Sequence, residues 1–196
     1  METKKQMTYT TPVGVAFYPY IFVADTKFDA NGVYNVKLRL DDKESKTIID
    51  AIEKEIAQEL VKNKSTKKSE FKPYKKVEGG YEFHFKLKAK NKTKTGVEYE
   101  KKVKVFDAKG KMITQPVMVY SGSTMKVAYQ IKPYFTNILG CGASLALQAC
   151  QIINLVEASV AKDNFGFGEE DGFEYVETDK VIAKANGAVS EEKFDF

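Results

Sequence analysis

Tyr81-Glu82-Phe83-His84-Phe85-Lys86-Leu87-Lys88-Ala89-Lys90 alternates strictly between rings or aliphatics and polar or charged side chains. A period of two places Tyr81, Phe83, Phe85, Leu87 and Ala89 on one face of a strand and Glu82, His84, Lys86, Lys88 and Lys90 on the other. The same grammar governs residues 33–40, where Tyr34, Val36, Leu38 and Leu40 alternate with Asn35, Lys37 and Arg39. Each segment therefore predicts a strand with one face in an apolar core and the other presenting cations to solvent.

Working outward, residues 11–23 are rich in β-formers, and the turn residues of 25–32 predict a hairpin joining them to 33–40. Asp41 followed by Glu44 is a capping pattern, and Ile48, Ile49, Ile52, Ile56, Leu60 and Val61 then recur at helical spacing, predicting a helix over 42–62. Residues 62–76 carry seven lysines and one acid, with Phe71, Pro73 and Tyr74 among them, which reads as an exposed, mobile loop. Beyond 81–90, further strands are expected at 97–106, 112–120, 124–132 and 144–156, the first of these continuing a meander and the last, nearly all apolar, pairing centrally. About seven strands with one inserted helix and no strand–helix alternation predict a mostly β fold. An antiparallel barrel of the OB type fits best, and a small β-sandwich is the alternative.

Charge divides the chain sharply. Residues 1–162 hold 28 Lys+Arg against 17 Asp+Glu, whereas residues 163–196 hold 3 against 10. This predicts a nucleic-acid-binding domain over 1–160 and a flexible acidic C-terminal tail over 161–196. A cationic body seeks a polyanion, and an anionic extension on the same chain competes for that surface. No run of roughly 18 apolar residues is present, and 1–9 is too polar for a signal peptide, so a cytoplasmic protein that does not enter membranes is expected. Cys141 and Cys150 are too few for a disulfide framework and read as reduced thiols.

Catalytic or metal chemistry finds little support. His84 lies on the polar side of a Lys-rich strand and reads as a solvated histidine, and with Cys141 and Cys150 it matches no zinc spacing. Asp41, Asp42 and Glu44 are explained by helix capping, so neither an enzyme nor a cofactor is expected. Lysines interleaved with rings instead suit single-stranded nucleic acid, which offers phosphates and exposed base faces together. The outward parity of Lys37, Arg39, Lys86, Lys88 and Lys90 would line one groove, joined by Lys126 and Lys132. Without Trp, stacking falls to Tyr and Phe: Tyr18, Tyr20, Tyr34, Phe71, Tyr74, Tyr81, Tyr99, Tyr120, Tyr129, Tyr134 and Phe135 form the pool. Alternation buries Tyr34, Phe83, Phe85 and Tyr129, leaving Tyr74, Tyr134, Phe135 and Phe71, read as loop residues, as the foremost stacking candidates.

Val119-Tyr120-Ser121-Gly122-Ser123 leading into 127–133, together with the terminal Phe194-Asp195-Phe196, resembles the phage-encoded single-stranded DNA-binding proteins of the T7 type. The resemblance implies an OB fold, binding to single strands without sequence preference during replication and recombination, and an acidic tail that competes with DNA and recruits a polymerase, helicase or primase. The terminal role falls on Phe196, with Asp195, Glu191 and Glu192 beside it. This tail departs from the family pattern in its length and in carrying Lys180, Lys184, Lys193, Phe165, Phe167, Phe173 and Tyr175. A homo-oligomer is compatible with the family. The alternative function is a viral assembly β-protein whose acidic segment docks on a neighbouring subunit; a binder of duplex or RNA and a nuclease stand behind it.

Overall fold

A computed structural model describes residues 7–93 and 95–156 of the chain. Ten strands and one helix occur among them: β1 (Tyr9–Thr10), β2 (Gly14–Asp25), β3 (Val33–Asp41), α1 (Asp42–Lys62), β4 (Tyr74–Val77), β5 (Gly80–Lys88), β6 (Lys90–Lys92), β7 (Glu98–Glu100), β8 (Lys104–Phe106), β9 (Thr124–Thr136) and β10 (Gly140–Asn154). The tail, and with it Glu191, Glu192, Asp195 and Phe196, lies outside the described residues. Among those described, no helix is long and apolar enough to cross a membrane.

Five strands close on themselves in the order β2-β3-β5-β10-β9 and back to β2. Strand direction cannot alternate all the way around a ring of five, so one contact must be parallel. That contact is β5 with β10, where Leu145 pairs with Phe85, while the other four are antiparallel. Closure, with one helix inserted, makes this an OB-type barrel rather than a sandwich. The inward parity of each strand fills it. Val36, Leu38, Phe83, Phe85, Met125, Val127, Tyr129, Leu145 and Leu147 are buried, and the Phe85 and Tyr129 rings lie 5.1 Å apart, centroid to centroid.

The helix forms where the sequence predicts it. Asp41 is the N-cap, its Oδ1 accepting the Glu44 N–H at 2.7 Å, and Asn63 closes the C-terminus by donating to Glu59 O. Ile48, Ile52 and Ile56 share one stripe, which is buried against the barrel. Burying each is worth roughly 1.5–3 kcal/mol, which ties the helix to the sheet.

The order of pairing departs from a meander: β5 is flanked by β3 on one side and by β4 and β10 on the other. Residues 112–120 form no strand; Met112 makes one isolated bridge to Phe106. Their alternation is too broken to compete for a place that β10 already fills. Residues 97–106 hold two short strands instead of one. The Lys-rich 62–76 stretch is more ordered than its composition suggests, for Ser69 is buried with its N–H donating to Cys141 O at 2.7 Å, and residues 74–77 are strand β4. Both cysteines are buried and unpaired, and burial pushes the Cys150 thiol up to about 12.

Candidate nucleic-acid interface

On the outer face of β3 and β5 the antiparallel register sets side chains in rows: Arg39 opposite Glu82, Lys37 opposite His84, Asn35 opposite Lys86 and Val33 opposite Lys88. At one end Lys75, opposite Glu82 on β4, extends the row, and Glu82 receives Arg39 at 3.1 Å, Lys75 at 3.1 Å and Lys37 at 3.8 Å. Although its parity is outward, Glu82 is 6% exposed, covered by these long cationic side chains. Burial alone pushes its carboxyl up, but hydrogen bonds from Lys75 and Arg39 and the charges of Lys75 and Lys37 outweigh that and hold it below its ordinary value.

A groove of about 710 Å³ opens from the Lys37–His84 row toward the far end of β5. Lys37, Lys86, Lys88, Lys101 and Lys132 line it, coming from β3, β5, the stretch after β7, and β9. Lys88 lies 4.0 Å from Asp29, while Lys86, Lys101 and Lys132 have no ion-pair partner among the described residues. His84 records the resulting field. Burial first, then Lys86 and Lys37, depress its pKa from 6.5 to about 4, so it is a half-buried neutral imidazole rather than a solvated one.

Of the cations singled out from sequence, Lys37, Lys86, Lys88 and Lys132 come together in this groove. Arg39 stands in the adjoining row, committed to Glu82 and stacked on Phe17 at 4.0 Å. Lys90 leaves the strand of Lys86 and Lys88, because β5 ends at Lys88 and Lys90 pairs with Glu100 in a separate β6–β7 hairpin. Lys126 shares its parity with Lys132 but lies six residues away on β9, roughly 20 Å along the strand, beside Thr10, Phe106 and Gln151. Parity sets the face of a strand, whereas barrel twist and distance set which groove a side chain reaches.

The aromatic expectations need more revision. Tyr74 is on a strand, half-buried, its hydroxyl donating to Glu53 of α1 at 2.9 Å and its ring against Tyr81 and Phe83. Tyr134 and Phe135 lie within β9, which runs to Thr136, not in a loop. The Tyr134 hydroxyl pairs with Ser69 Oγ at 3.2 Å. Two other rings stand at the groove. Phe28, in the β2–β3 loop, lines it and is 89% exposed, with Lys27 Nζ 5.5 Å from its centroid. Tyr18 is 64% exposed and lies 5.5 Å from Lys37 Nζ. Phe28 carries a legible signal, a ring in a stretch of Asp, Thr, Asn and Gly; the strand-like composition around Tyr18 conceals its position.

Tyr18 owes that position to a bulge. Phe17 pairs with Lys37 and Tyr20 with Asn35, so β2 advances three residues while β3 moves two. The extra residue lets Phe17 and Tyr18 both face outward and still returns Ile21 to the core.

Comparison with known proteins agrees with this architecture. The family described as single-stranded DNA-binding protein, bacteriophage T7, matches residues 14–157, a span that begins at β2 and includes every strand of the barrel. The single-stranded DNA-binding protein of Escherichia phage T7 is 28% identical over 210 residues, covering 93% of this chain and 88% of the relative. The crystal structure of gp2.5, a single-stranded DNA-binding protein encoded by bacteriophage T7, superposes with a TM-score of 0.67 at 25% identity, over 87% of this chain and 100% of that one. A protein of bacteriophage Enc34, solved in complex with single-stranded DNA, shares the fold with a TM-score of 0.56 at 13% identity, over 76% of this chain and 88% of its own. With a closed OB-type barrel matched from its first strand to its last, this chain belongs to the family of phage single-stranded DNA-binding proteins typified by that of bacteriophage T7.

Proposed function

We propose that this chain binds single-stranded DNA without sequence preference, by binding rather than catalysis, in the host cytoplasm during phage replication and recombination. The carrying observation is the groove itself, in which Lys37, Lys86, Lys88, Lys101 and Lys132 converge from separate segments of the chain and three of them take no acidic partner among the described residues. Phosphates of a single strand neutralise such a set, and lysines spread along a groove suit any sequence, so affinity comes from the backbone and from stacking. Lys90, Lys126, Arg39, Tyr74, Tyr134 and Phe135 stand outside the groove or are engaged in packing, and the interface we favour centres on the five lysines.

The acidic segment 161–196 is the second part of the reading. Its excess of acid gives it the charge to compete with DNA for the groove, and its ending, Glu191, Glu192, Asp195 and Phe196, offers an acidic aromatic peptide to a replication protein. The test is fluorescence titration with poly(dT) at two salt concentrations, for the full chain and for a chain ending at residue 162. Binding that weakens steeply with salt and tightens on truncation is expected. Failure to bind poly(dT) in dilute buffer overturns the ligand assignment; unchanged affinity on truncation overturns the competing tail alone.

A further inference from the structure

Residues 120–123, Tyr-Ser-Gly-Ser, form a turn that grips the β2 bulge from outside. Gly122 N–H donates to Ala16 O at 2.9 Å, Ala16 N–H donates to Ser123 O at 2.8 Å, and Ser121 Oγ accepts the Tyr18 N–H at 3.0 Å. Between these bonds Tyr18 is held at φ +49°, a left-handed conformation that costs an L side chain roughly 1 kcal/mol or more. The bulge that returns Ile21 to the core accounts for the backbone conformation, but not for a tyrosine in it. The ring is 64% exposed, and glycine would occupy the same backbone without strain.

The ring stands between two unlike surfaces. On one side, 5.5 Å away, is Lys37 of the cationic groove. On the other is an apolar trough of about 450 Å³ lined by Tyr18 itself with Tyr20, Val23, Met118 and Tyr120, whose side chains are also exposed. A single-stranded polynucleotide has the same two-sided chemistry, charged along its backbone and apolar on the faces of its bases.

Resting on the single-stranded DNA reading above, we propose that Tyr18 is a base-stacking platform, held out by the Ser121 hydroxyl of the 120–123 turn. Phosphates follow Lys37 while bases pass over the Tyr18 ring into the trough. Backbone strain at this position is the cost of presenting the ring, and the turn is the brace that sustains it.

The experiment compares the full chain with its Tyr18→Gly, Tyr18→Phe and Ser121→Ala variants against oligo(dT) and an abasic deoxyribose-phosphate oligomer of the same length. Wild type is expected to prefer oligo(dT). Tyr18→Gly is expected to raise the thermal midpoint, because strain is relieved, yet to lower oligo(dT) affinity about tenfold, equivalent to about 1.4 kcal/mol, with no change toward the abasic oligomer. Its dependence on salt should match wild type, since no phosphate contact is lost. Tyr18→Phe should bind as wild type, and Ser121→Ala should lose oligo(dT) affinity selectively but less than the glycine variant. Equal affinity of wild type for both oligomers, or wild-type oligo(dT) affinity in Tyr18→Gly, overturns the platform while leaving the groove standing. Failure of wild type to bind either oligomer overturns the groove and the platform together.

Discussion

At the scale of single residues, the two polar side chains between the lysines are both kept from full hydration, and to opposite effect. Glu82 is an internal counter-anion that fixes Arg39, Lys75 and Lys37 in place, so the cations at that end are partly spent within the fold. Burial comes first for His84, and the charges of neighbouring Lys86 and facing Lys37 outweigh the opposing pull of Glu82, so it stays neutral down to about pH 4. Between about 4 and 6.5 the unfolded chain binds a proton here that the native chain does not, so native stability falls as pH drops through that window. Replacing His84 with Gln should flatten this part of the profile, read as urea midpoints at neutral and acid pH. Because the chain has one histidine, its imidazole can also be followed by NMR without ambiguity. Saturating oligo(dT) should move its pKa upward, as phosphates offset Lys86 and Lys37; an unmoved pKa would place the strand elsewhere.

At the scale of elements, the β3–β5 pairing carries the charged face, and it begins where two backbones come closer than any side chain permits. A Cβ on Gly80 would sit 1.9 Å from Leu40 O and 2.9 Å from Asp41 Cα, whereas one on Gly79 would meet nothing within 4 Å. Gly80→Ala should therefore cost about 3 kcal/mol by forcing the strands apart at the start of their register. Gly79→Ala, strained only by its φ of +76°, should cost about 1 kcal/mol. Comparable urea midpoints for the two variants would contradict this. Helix α1 was legible in advance because its cap and its isoleucine stripe are local. Strand β4 was not, because Tyr74 is recruited by the helix through Glu53 and by β5 through Phe83, neither of them a sequence neighbour.

At the scale of the whole molecule, closing the barrel turns scattered lysines into one electrostatic surface. If each grooved lysine meets a phosphate, Lys86→Ala and Lys132→Ala should each lower the slope of log affinity against log salt by about 0.7, the increment for single strands. Lys126→Ala, on the far part of β9, should leave the slope unchanged. A salt series of poly(dT) titrations measures all three, and an equal drop for Lys126 would show that the strand takes a different path around the barrel.

The chain's one-dimensional order determined the properties encoded within a few neighbouring residues. These are the division between cationic body and anionic tail, the in–out alternation of residues 33–40 and 81–88, and the capped helix between them. Only the tertiary structure decided which lysines share a groove, that β5 and β10 run parallel, and that Tyr18 rather than Tyr74 stands exposed beside the cations. Each of these depends on partners far apart along the chain, as with Tyr18 and Ser121 at a separation of 103 residues. Periodicity assigns a face to each side chain, but the twist of a closed sheet and a single inserted residue assign its neighbours.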